Sequence, residues 1–239
     1  MSTSTNDHRP RVAAERRQRT RMRLLESAMV AFAHNGIGAS VIPDVVAAAK
    51  VSQGTFYNYF RTNEELLQAL AVELNRDIVS TIEAAVSGIR GDPALKLATA
   101  IRSYLHLMWS HPVVAQFMAH TGLRLAGKDG AFYDYLARDL RAAQNRGQLD
   151  RGPVQPPMDI VAGAGLMALY RMTEGKAPGS YLERVIALIL RALGANAGEI
   201  ARLAAFPLPR LHVPPGSLLA HAAPDSTDAG GTAASPRRL

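Results

Sequence analysis

The sequence predicts an all-α protein, and three observations support this. Hydrophobic residues make up 48% of the 239 positions, and Ala, Leu and Arg, which favour helices, dominate the composition. Long runs of alternating β-branched residues, which are typical of strands, are absent from the sequence. Apolar side chains instead recur at helical spacing along most of the chain. We therefore expect a three-helix N-terminal domain followed by a larger helical domain.

A basic arm precedes the first predicted helix. Residues 1–23 contain seven arginines and two carboxylates, so this stretch carries +5 of the net charge of +7. Such a stretch is also typical of a solvated tail that has no partner. We expect residues 1–13 to be disordered, and we place a helix over residues 14–34, whose apolar stripe ends at Phe32. Gly36 is expected to end that helix in the left-handed conformation.

The next stretch predicts two short helices separated by a turn, which is the pattern of a helix-turn-helix. Ser40 is expected to cap the first helix and Ser52 the second. Phe56 and Phe60 lie four residues apart, so they share the buried face of the second helix. Its outer surface is then formed by Gln53, Thr55, Tyr57, Asn58 and Tyr59.

A long helix is predicted to follow. Thr62 and Glu65 form a capping box at its start, and the apolar pattern continues to about Ser87. A single rigid helix of this length would couple the downstream domain to the orientation of the helix-turn-helix. We therefore place the helix-turn-helix domain over residues 14–62 and a second domain over residues 63–206.

The second domain is expected to contain several amphipathic helices. They are predicted over residues 92–110, 113–121, 131–146, 158–174 and 178–193, and residues 195–206 either prolong the last helix or form another. Six prolines fall among the final 33 residues. We therefore expect residues 207–239 to form a largely disordered tail.

A resemblance to the DNA-binding domain of TetR-family transcriptional regulators is carried by the string Gly54-Thr55-Phe56-Tyr57-Asn58-Tyr59-Phe60, which follows a small-residue helix and a turn. The resemblance implies a homodimer whose two helix-turn-helix units bind a pseudo-palindromic operator in double-stranded DNA. It also implies a small apolar or amphipathic effector that binds the C-terminal domain and releases the DNA. On this basis we expect a repressor.

Two positions depart from the family pattern. Lys50 stands in the turn where the family usually has glycine, and the left-handed conformation that glycine adopts easily is costly for lysine. Asn63 stands where a lysine commonly reaches a phosphate. The resemblance therefore implies no phosphate contact for Asn63.

The resemblance also implies which residues contact DNA. Tyr57 and Tyr59 are expected to contact phosphates, and Asn58 is the first candidate for a contact to a base edge. The arginines before the first helix would add affinity that falls with salt concentration. The full predicted set is Ser40, Lys50, Ser52, Gln53, Gly54, Thr55, Tyr57, Asn58, Tyr59, Arg19 and Arg21.

A group of aromatic and methionine side chains in the second domain is the candidate effector site. Such side chains adapt to varied apolar ligands, although the same pattern is typical of an ordinary core. The resemblance favours an effector pocket, because the C-terminal helices of the family enclose one. The predicted set is Tyr104, Met108, Trp109, Phe117, Met118, Met167 and Tyr170.

Small and apolar residues of the last two long helices are the candidate dimer interface. They could equally fill the core of one chain, but the resemblance favours an interface, because the family pairs through a four-helix bundle at this place in the chain. The predicted set is Ala162, Gly165, Leu166, Leu169, Ile186, Ile189, Leu190 and Leu193.

Other classes of site have little support. His106 and His111 lie five residues apart and do not share a helix face, which disfavours a metal site with His120. The sequence has no Gly-x-Ser-x-Gly elbow and no cysteine. We therefore expect no metal, no cofactor and no catalytic residue.

Localisation and the alternative functions follow from the same features. The most apolar stretch, residues 160–170, is too short to cross a membrane, and the N-terminus is too polar for a signal peptide, so we expect a cytoplasmic protein. Two alternatives stay open: an architectural DNA-binding protein without an effector, and a small-molecule enzyme that carries a DNA-binding domain.

Overall fold

The computed structural model describes residues 8–36, 40–125 and 130–222, and this part of the chain is helical without any strand. The all-α prediction is confirmed. The described residues form eleven helices: α1 (His8–Asn35), α2 (Ile42–Ala48), α3 (Gln53–Tyr57), α4 (Asn63–Val86), α5 (Pro93–Trp109), α6 (Pro112–Leu125), α7 (Ala131–Asn145), α8 (Gln155–Thr173), α9 (Tyr181–Ala192), α10 (Ala197–Ala205) and α11 (Leu218–His221). None of these helices is long and apolar enough to span a bilayer.

Helix α1 starts earlier than the sequence indicated. It begins at His8, so residues 8–13 of the expected arm are helical, and residues 1–7 lie outside the described part of the chain. Its end is as predicted: Gly36 has a φ of +70°, and its N–H donates to the carbonyl of Phe32 at 3.0 Å.

The caps of α2 and α3 differ in how they are made. Ser40 does not cap α2, because the N-cap residue is Val41 and no side chain accepts a hydrogen bond there. Ser52 does cap α3: its Oγ accepts from the Thr55 N–H at 3.0 Å. Helix α3 ends at Tyr57, which is three residues earlier than the predicted helix.

Helix α4 forms the long connector that the sequence predicted. Thr62 caps it, with its Oγ1 accepting from the Glu65 N–H at 3.0 Å. The Glu65 carboxylate accepts from the Arg61 N–H at 2.8 Å. In a standard capping box it would accept from the N–H of the N-cap residue, Thr62. The helix continues to Val86 without interruption.

Helix α1 connects α2 and α3 to the rest of the chain. It packs on α2, on α4 and, most extensively, on α6. The fully buried rings of Phe32 and Phe117 meet with centroids 6.4 Å apart. Beside them, His120 Nδ1 lies 3.0 Å from the carbonyl oxygen of Ala33. The helix-turn-helix is therefore fastened to α6 as well as to the connector α4.

Charged side chains tie α4, α5 and α7 together at their partly buried junction. The Arg138 guanidinium donates to Glu83 at 2.9 Å and lies 2.7 Å from Asp139. Lys96 reaches the other oxygen of Glu83 at 3.3 Å. Because α4 is continuous, this network links its C-terminal half to two helices of the second domain.

The C-terminal part differs most from the sequence-based expectation. The stretch over residues 195–206 contains a separate helix, α10 (Ala197–Ala205), which follows a sharp turn at Gly194, where φ is +95°. Residues 207–222, which we expected to be disordered, are placed against the rest of the chain, and Leu218 and Leu219 are fully buried. The sequence signal for this docking was the pair of adjacent leucines after a serine that can cap a helix. The prolines of the same stretch favoured disorder and led to the wrong expectation. Residues 223–239 lie outside the described part.

Lys50 adopts the strained conformation that its position suggested. Its φ is +52°, and it ends α2 in a Schellman motif, in which the Lys50 N–H donates to Ala47 and the Val51 N–H to Val46, both at 3.2 Å. Among the described residues it is the only one other than glycine with positive φ. The side chain is exposed, so packing gives no reason for a lysine here.

Replacing Lys50 with glycine is expected to stabilise the protein. A side chain in the left-handed region costs about 1–2 kcal/mol, which the glycine variant avoids. The greater flexibility of glycine in the unfolded chain offsets about 0.5–1 kcal/mol of this gain. Urea unfolding should therefore show Lys50→Gly to be about 0.5–1 kcal/mol more stable than the wild type. The control Lys50→Ala keeps the strain and should show no gain. Equal stability of the two variants would contradict this account.

Candidate functional site

The exposed face of α3 is the centre of the candidate site. Phe56 and Phe60 are buried beneath it with ring centroids 6.0 Å apart, as predicted. Ser52 Oγ also lies 2.8 Å from Thr55 Oγ1, so the first turn is held by two contacts from one serine. These contacts fix a five-residue helix that is too short to be stable alone.

Most of the predicted DNA-contacting residues lie on the surface around α3. The Tyr57 side chain is exposed, with its ring packed edge-on against Phe56 at 5.5 Å. Asn58 caps the C-terminus of α3 through its backbone and leaves its side chain in solvent. Ser40, Lys50, Ser52, Gln53 and Gly54 are also exposed, whereas Thr55 and Tyr59 are half-buried.

Gly54 lies on this face without a structural reason for being glycine. Its φ is not positive, and a Cβ built on it would meet only Ser52 Oγ at 3.9 Å, which is an ordinary contact. An alanine would favour the helix more. The absence of a side chain therefore leaves open space on the outer surface of α3.

The two arginines predicted to contact DNA have different environments. Arg19 is exposed, and its nearest ion-pair contact is a weak one to Glu15 at 3.9 Å. Arg21 is half-buried: it donates to Glu73 of α4 at 3.3 Å, and its guanidinium lies 6.0 Å from the Phe60 ring. Arg21 therefore also joins α1 to α4, and its contact with DNA stays a prediction.

Arg17 belongs to the site, although the sequence did not single it out. Its guanidinium lies over the ring of Tyr59 at 5.3 Å, where the ring face attracts the cation. The two residues line an open groove together with Val12, Ala13, Ala14, Arg16 and Thr20. The seven arginines in the first 23 residues indicated that this region is basic, but they did not indicate which arginine lies beside α3, because the sequence does not show which face of α1 is buried.

The predicted effector residues do not line one cavity in the described part of the chain. Tyr104 packs on Phe132 of α7 with ring centroids 5.7 Å apart, and burial, with the nearby Tyr133 as the second cause, raises the pKa of Tyr104 above its ordinary value. Phe117 instead packs on α1. Met108 is fully buried in the core and Met118 is partly buried against it.

Three members of the predicted effector set are exposed. Trp109 lies at the C-terminal end of α5, whereas Met167 and Tyr170 lie on the outer face of α8. Their placement in an internal pocket is therefore corrected. The misassignment arose because α8 has apolar residues on both its inner and its outer faces, so periodicity did not distinguish them.

Most residues of the predicted dimer interface are buried within the chain's own core, as the alternative interpretation of the sequence expected. Leu169, Ile186, Ile189, Leu190 and Leu193 have at most 3% of their surface exposed. Gly165 is buried, and Ala162 and Leu166 are half-buried.

An apolar outer face is instead present on the other side of α8 and α9. Ile160, Met167 and Tyr170 of α8 and Leu188 of α9 are large exposed hydrophobic residues. An open groove of about 270 Å³ runs between the two helices and is lined by Ile160, Ala164, Met167, Tyr181, Val185, Leu188 and Ile189. The sequence missed Leu188 because its neighbours Ile186, Ile189 and Leu190 follow the same apolar run.

The three histidines considered as metal ligands make separate contacts. His106 lies 3.3 Å from Glu183 of α9, His111 bonds the Leu107 carbonyl at 2.8 Å, and His120 bonds α1. No group of three metal-ligating side chains is found among the described residues.

Comparison with known proteins places this arrangement in a family. Residues 24–70 match the family described as bacterial regulatory proteins, tetR family. The HTH-type transcriptional repressor DhaR of Mycobacterium sp. strain GP1 is 38% identical over 69 residues, which cover 27% of this chain and 35% of DhaR. The regulator UidR of Escherichia coli K12 is 25% identical over 140 residues, or 55% of this chain and 70% of UidR. The match to DhaR thus spans about a third of that relative's length.

Solved structures share the fold over most of the chain. RolR in complex with resorcinol has a TM-score of 0.58 at 24% identity and covers 83% of this chain and all of RolR. A tetR-family regulator from Shewanella sp. PV-4 has a TM-score of 0.62 at 20% identity, over 73% of this chain and 97% of that one. FadR of Bacillus subtilis with stearoyl-CoA has a TM-score of 0.56 at 18% identity, over 72% and 96%. Residues 24–70 thus carry the domain of the tetR family of bacterial regulatory proteins, and the described chain shares its fold with solved regulators of that family.

Proposed function

We propose that the protein is a homodimeric repressor that binds a pseudo-palindromic operator through α3 and is released by a small apolar or amphipathic ligand. The exposed polar face of α3, held in place by the buried Phe56 and Phe60, is the observation that carries the proposal. A helix presented in this way fits the major groove, where base edges can be distinguished.

The roles within this face follow from exposure and chemistry. The hydroxyl of Tyr57 and the cations of Lys50 and Arg19 suit phosphate oxygens, since all three side chains are exposed. The amide of Asn58 can donate and accept, which suits the edge of an adenine. Phosphate contacts by these cations would make affinity fall with salt.

The open space at Gly54 supports close approach by DNA. Nothing within the chain requires glycine there, as a Cβ would make no close contact. A glycine on an exposed helical face is expected where a ligand's backbone comes near the helix. We therefore assign Gly54 to the DNA interface and not to the fold.

The apolar outer face of α8 and α9 supports a homodimer. Large hydrophobic side chains that are exposed together mark an interaction surface. A two-fold axis across this face would place the same helices of both chains against each other and present two copies of α3 to one DNA duplex.

The interior of the second domain supports a ligand with some polar character. Tyr104 and Phe132 offer aromatic surface between α5 and α7. The buried hydroxyls of Thr99 and Ser103 on α5 have no hydrogen-bond partner among the described residues, and such groups are costly to leave unpaired. The resorcinol bound by RolR and the stearoyl-CoA bound by FadR are ligands that combine apolar and polar groups.

The ligand would release the DNA through the contacts of α1 and α4 with the second domain. A ligand that moves α6 or α7 changes the position of α1 or α4, to which α3 is attached. By linkage, operator DNA must weaken ligand binding by the same factor.

The variant Gly54→Ala separates DNA binding from folding. Alanine should raise the free energy of unfolding by about 0.5–1 kcal/mol, because it lowers the entropy cost of the helix. The same methyl group should lower affinity for the intergenic DNA upstream of the gene roughly tenfold, on the scale of one lost base contact. Urea unfolding and fluorescence anisotropy measure the two effects.

The matched control is Gly88→Ala, since Gly88 is also exposed with open space around it but lies far along the chain from α3. This variant should bind DNA like the wild type. Unchanged affinity of Gly54→Ala would refute the role of α3. In the same assay, small phenols should release the DNA from the wild type; affinity that no ligand changes would favour the effector-free alternative.

Leu188→Glu tests the dimer face. A carboxylate on this apolar surface should convert the dimer to a monomer in analytical ultracentrifugation, because it would be buried without a partner. Val72→Glu is the control, since Val72 on α4 and Leu188 on α9 are both 61% exposed. If both variants sediment like the wild type, the dimer interface does not include Leu188.

A further inference from the structure

The chain returns to its N-terminal helices after α10. We call residues 206–222 the C-terminal strap. The strap leaves the second domain at Phe206, follows an irregular path with Leu211 and Val213 partly buried against the core, and ends in α11. Helix α11 packs against α4 and α1. The strap thus connects the far end of the chain to the two helices that carry the helix-turn-helix.

The start of the strap is anchored by Arg102 of α5. This arginine is buried, and its Nη1 donates to the carbonyls of Leu203 at 3.2 Å and Phe206 at 2.7 Å. A guanidinium that donates to terminal carbonyls stabilises the end of a helix. The strap therefore leaves α10 in a fixed direction.

The end of the strap is anchored on α4. Ser217 caps α11 by accepting from the Ala220 N–H at 3.1 Å, and the Leu218 N–H donates to Asp77 Oδ2 at 2.8 Å. Leu218 and Leu219 are fully buried. Burial raises the pKa of Asp77, although the hydrogen bonds from the backbone of Leu218 and Leu219 and the charge of Arg76 act in the opposite direction.

The strap also reaches α1. His221 Nε2 lies 3.5 Å from Glu26 Oε1, so α11 contacts both helices at their junction. Among the described residues, Arg21 and Glu73 form a second link between α1 and α4, at 3.3 Å. The two links lie at different positions along α1.

We propose that the C-terminal strap clamps α1 to α4 and thereby limits the orientations open to α3. The contacts that hold its end on α1 and α4 are few among the described residues: the buried side chains of Leu218 and Leu219, their backbone hydrogen bonds to Asp77, and the pair between His221 and Glu26. An element with so few contacts opens locally before the rest of the protein unfolds. Opening would allow α1 to move against α4, and, if the proposed DNA function holds, would lower operator affinity by adding freedom that binding must remove.

Hydrogen exchange of the full chain tests the clamp. In Leu218→Asp, a charge replaces a fully buried leucine, so α11 should leave its site. Amides of residues 24–33 in α1 and 70–82 in α4 should then exchange at least about tenfold faster, as in local opening. Amides of α8 and α9 should keep their protection, which shows that the variant is folded. His212→Ala is the control within the strap, since His212 is exposed and should change nothing.

A second variant keeps the test independent of the charge. Leu219→Ala removes apolar contact only and should accelerate the same amides to a smaller extent. Unchanged exchange in α1 and α4 for both leucine variants would overturn the clamp. Because this readout needs no DNA, a wild-type chain that fails to bind DNA refutes the proposed function and not the strap. Higher DNA affinity of Leu218→Asp would overturn the proposed direction of its effect.

Discussion

The packing of α1 against α6 is the contact on which the position of the helix-turn-helix depends. Phe32 and Phe117 are both fully buried where the two helices meet. Close-packed interiors transmit displacements, because neither ring can move without its neighbours. Helix α3 itself has only five residues, and it takes its orientation from α1, α2 and α4. The exposed face of α3 is therefore positioned by the second domain.

Further contacts hold α1 and α4 to each other and to the second domain. Glu83 and its cationic partners bind the second half of α4 to α5 and α7. Arg21 and Glu73 join α1 to α4 close to Phe60, and the C-terminal strap joins them again near Glu26. A ligand between the helices of the second domain would thus change several contacts at once, which is how a small displacement becomes a change between discrete arrangements.

The parts predictable from the sequence were those with local signals. The Ser52 and Thr62 caps, the glycine stop and the aromatic spacing of α3 each depend on a few neighbouring residues, so α3, the strain at Lys50 and the connector α4 were predicted, whereas the expected cap at Ser40 was not found. Which face of α8 is buried depends on helices distant in the sequence, so Met167 and Leu169 were assigned to the wrong sides. The contact between Leu218 and Asp77 joins positions far apart in the chain, so the adjacent leucines could suggest docking but could not identify its partner on α4.

The most direct test of this account is a measurement of the distance between the two copies of α3 in the proposed homodimer. The chain has no cysteine, so a spin label at Gln53→Cys is unique in each copy, and double electron–electron resonance reports the distance between them. Phe117→Leu removes the ring contact with Phe32 while it keeps an apolar side chain in the core. The account predicts that this substitution shifts or broadens the distance distribution although it lies on α6. A distribution identical to that of the wild type would contradict the claim that α6 positions the helix-turn-helix.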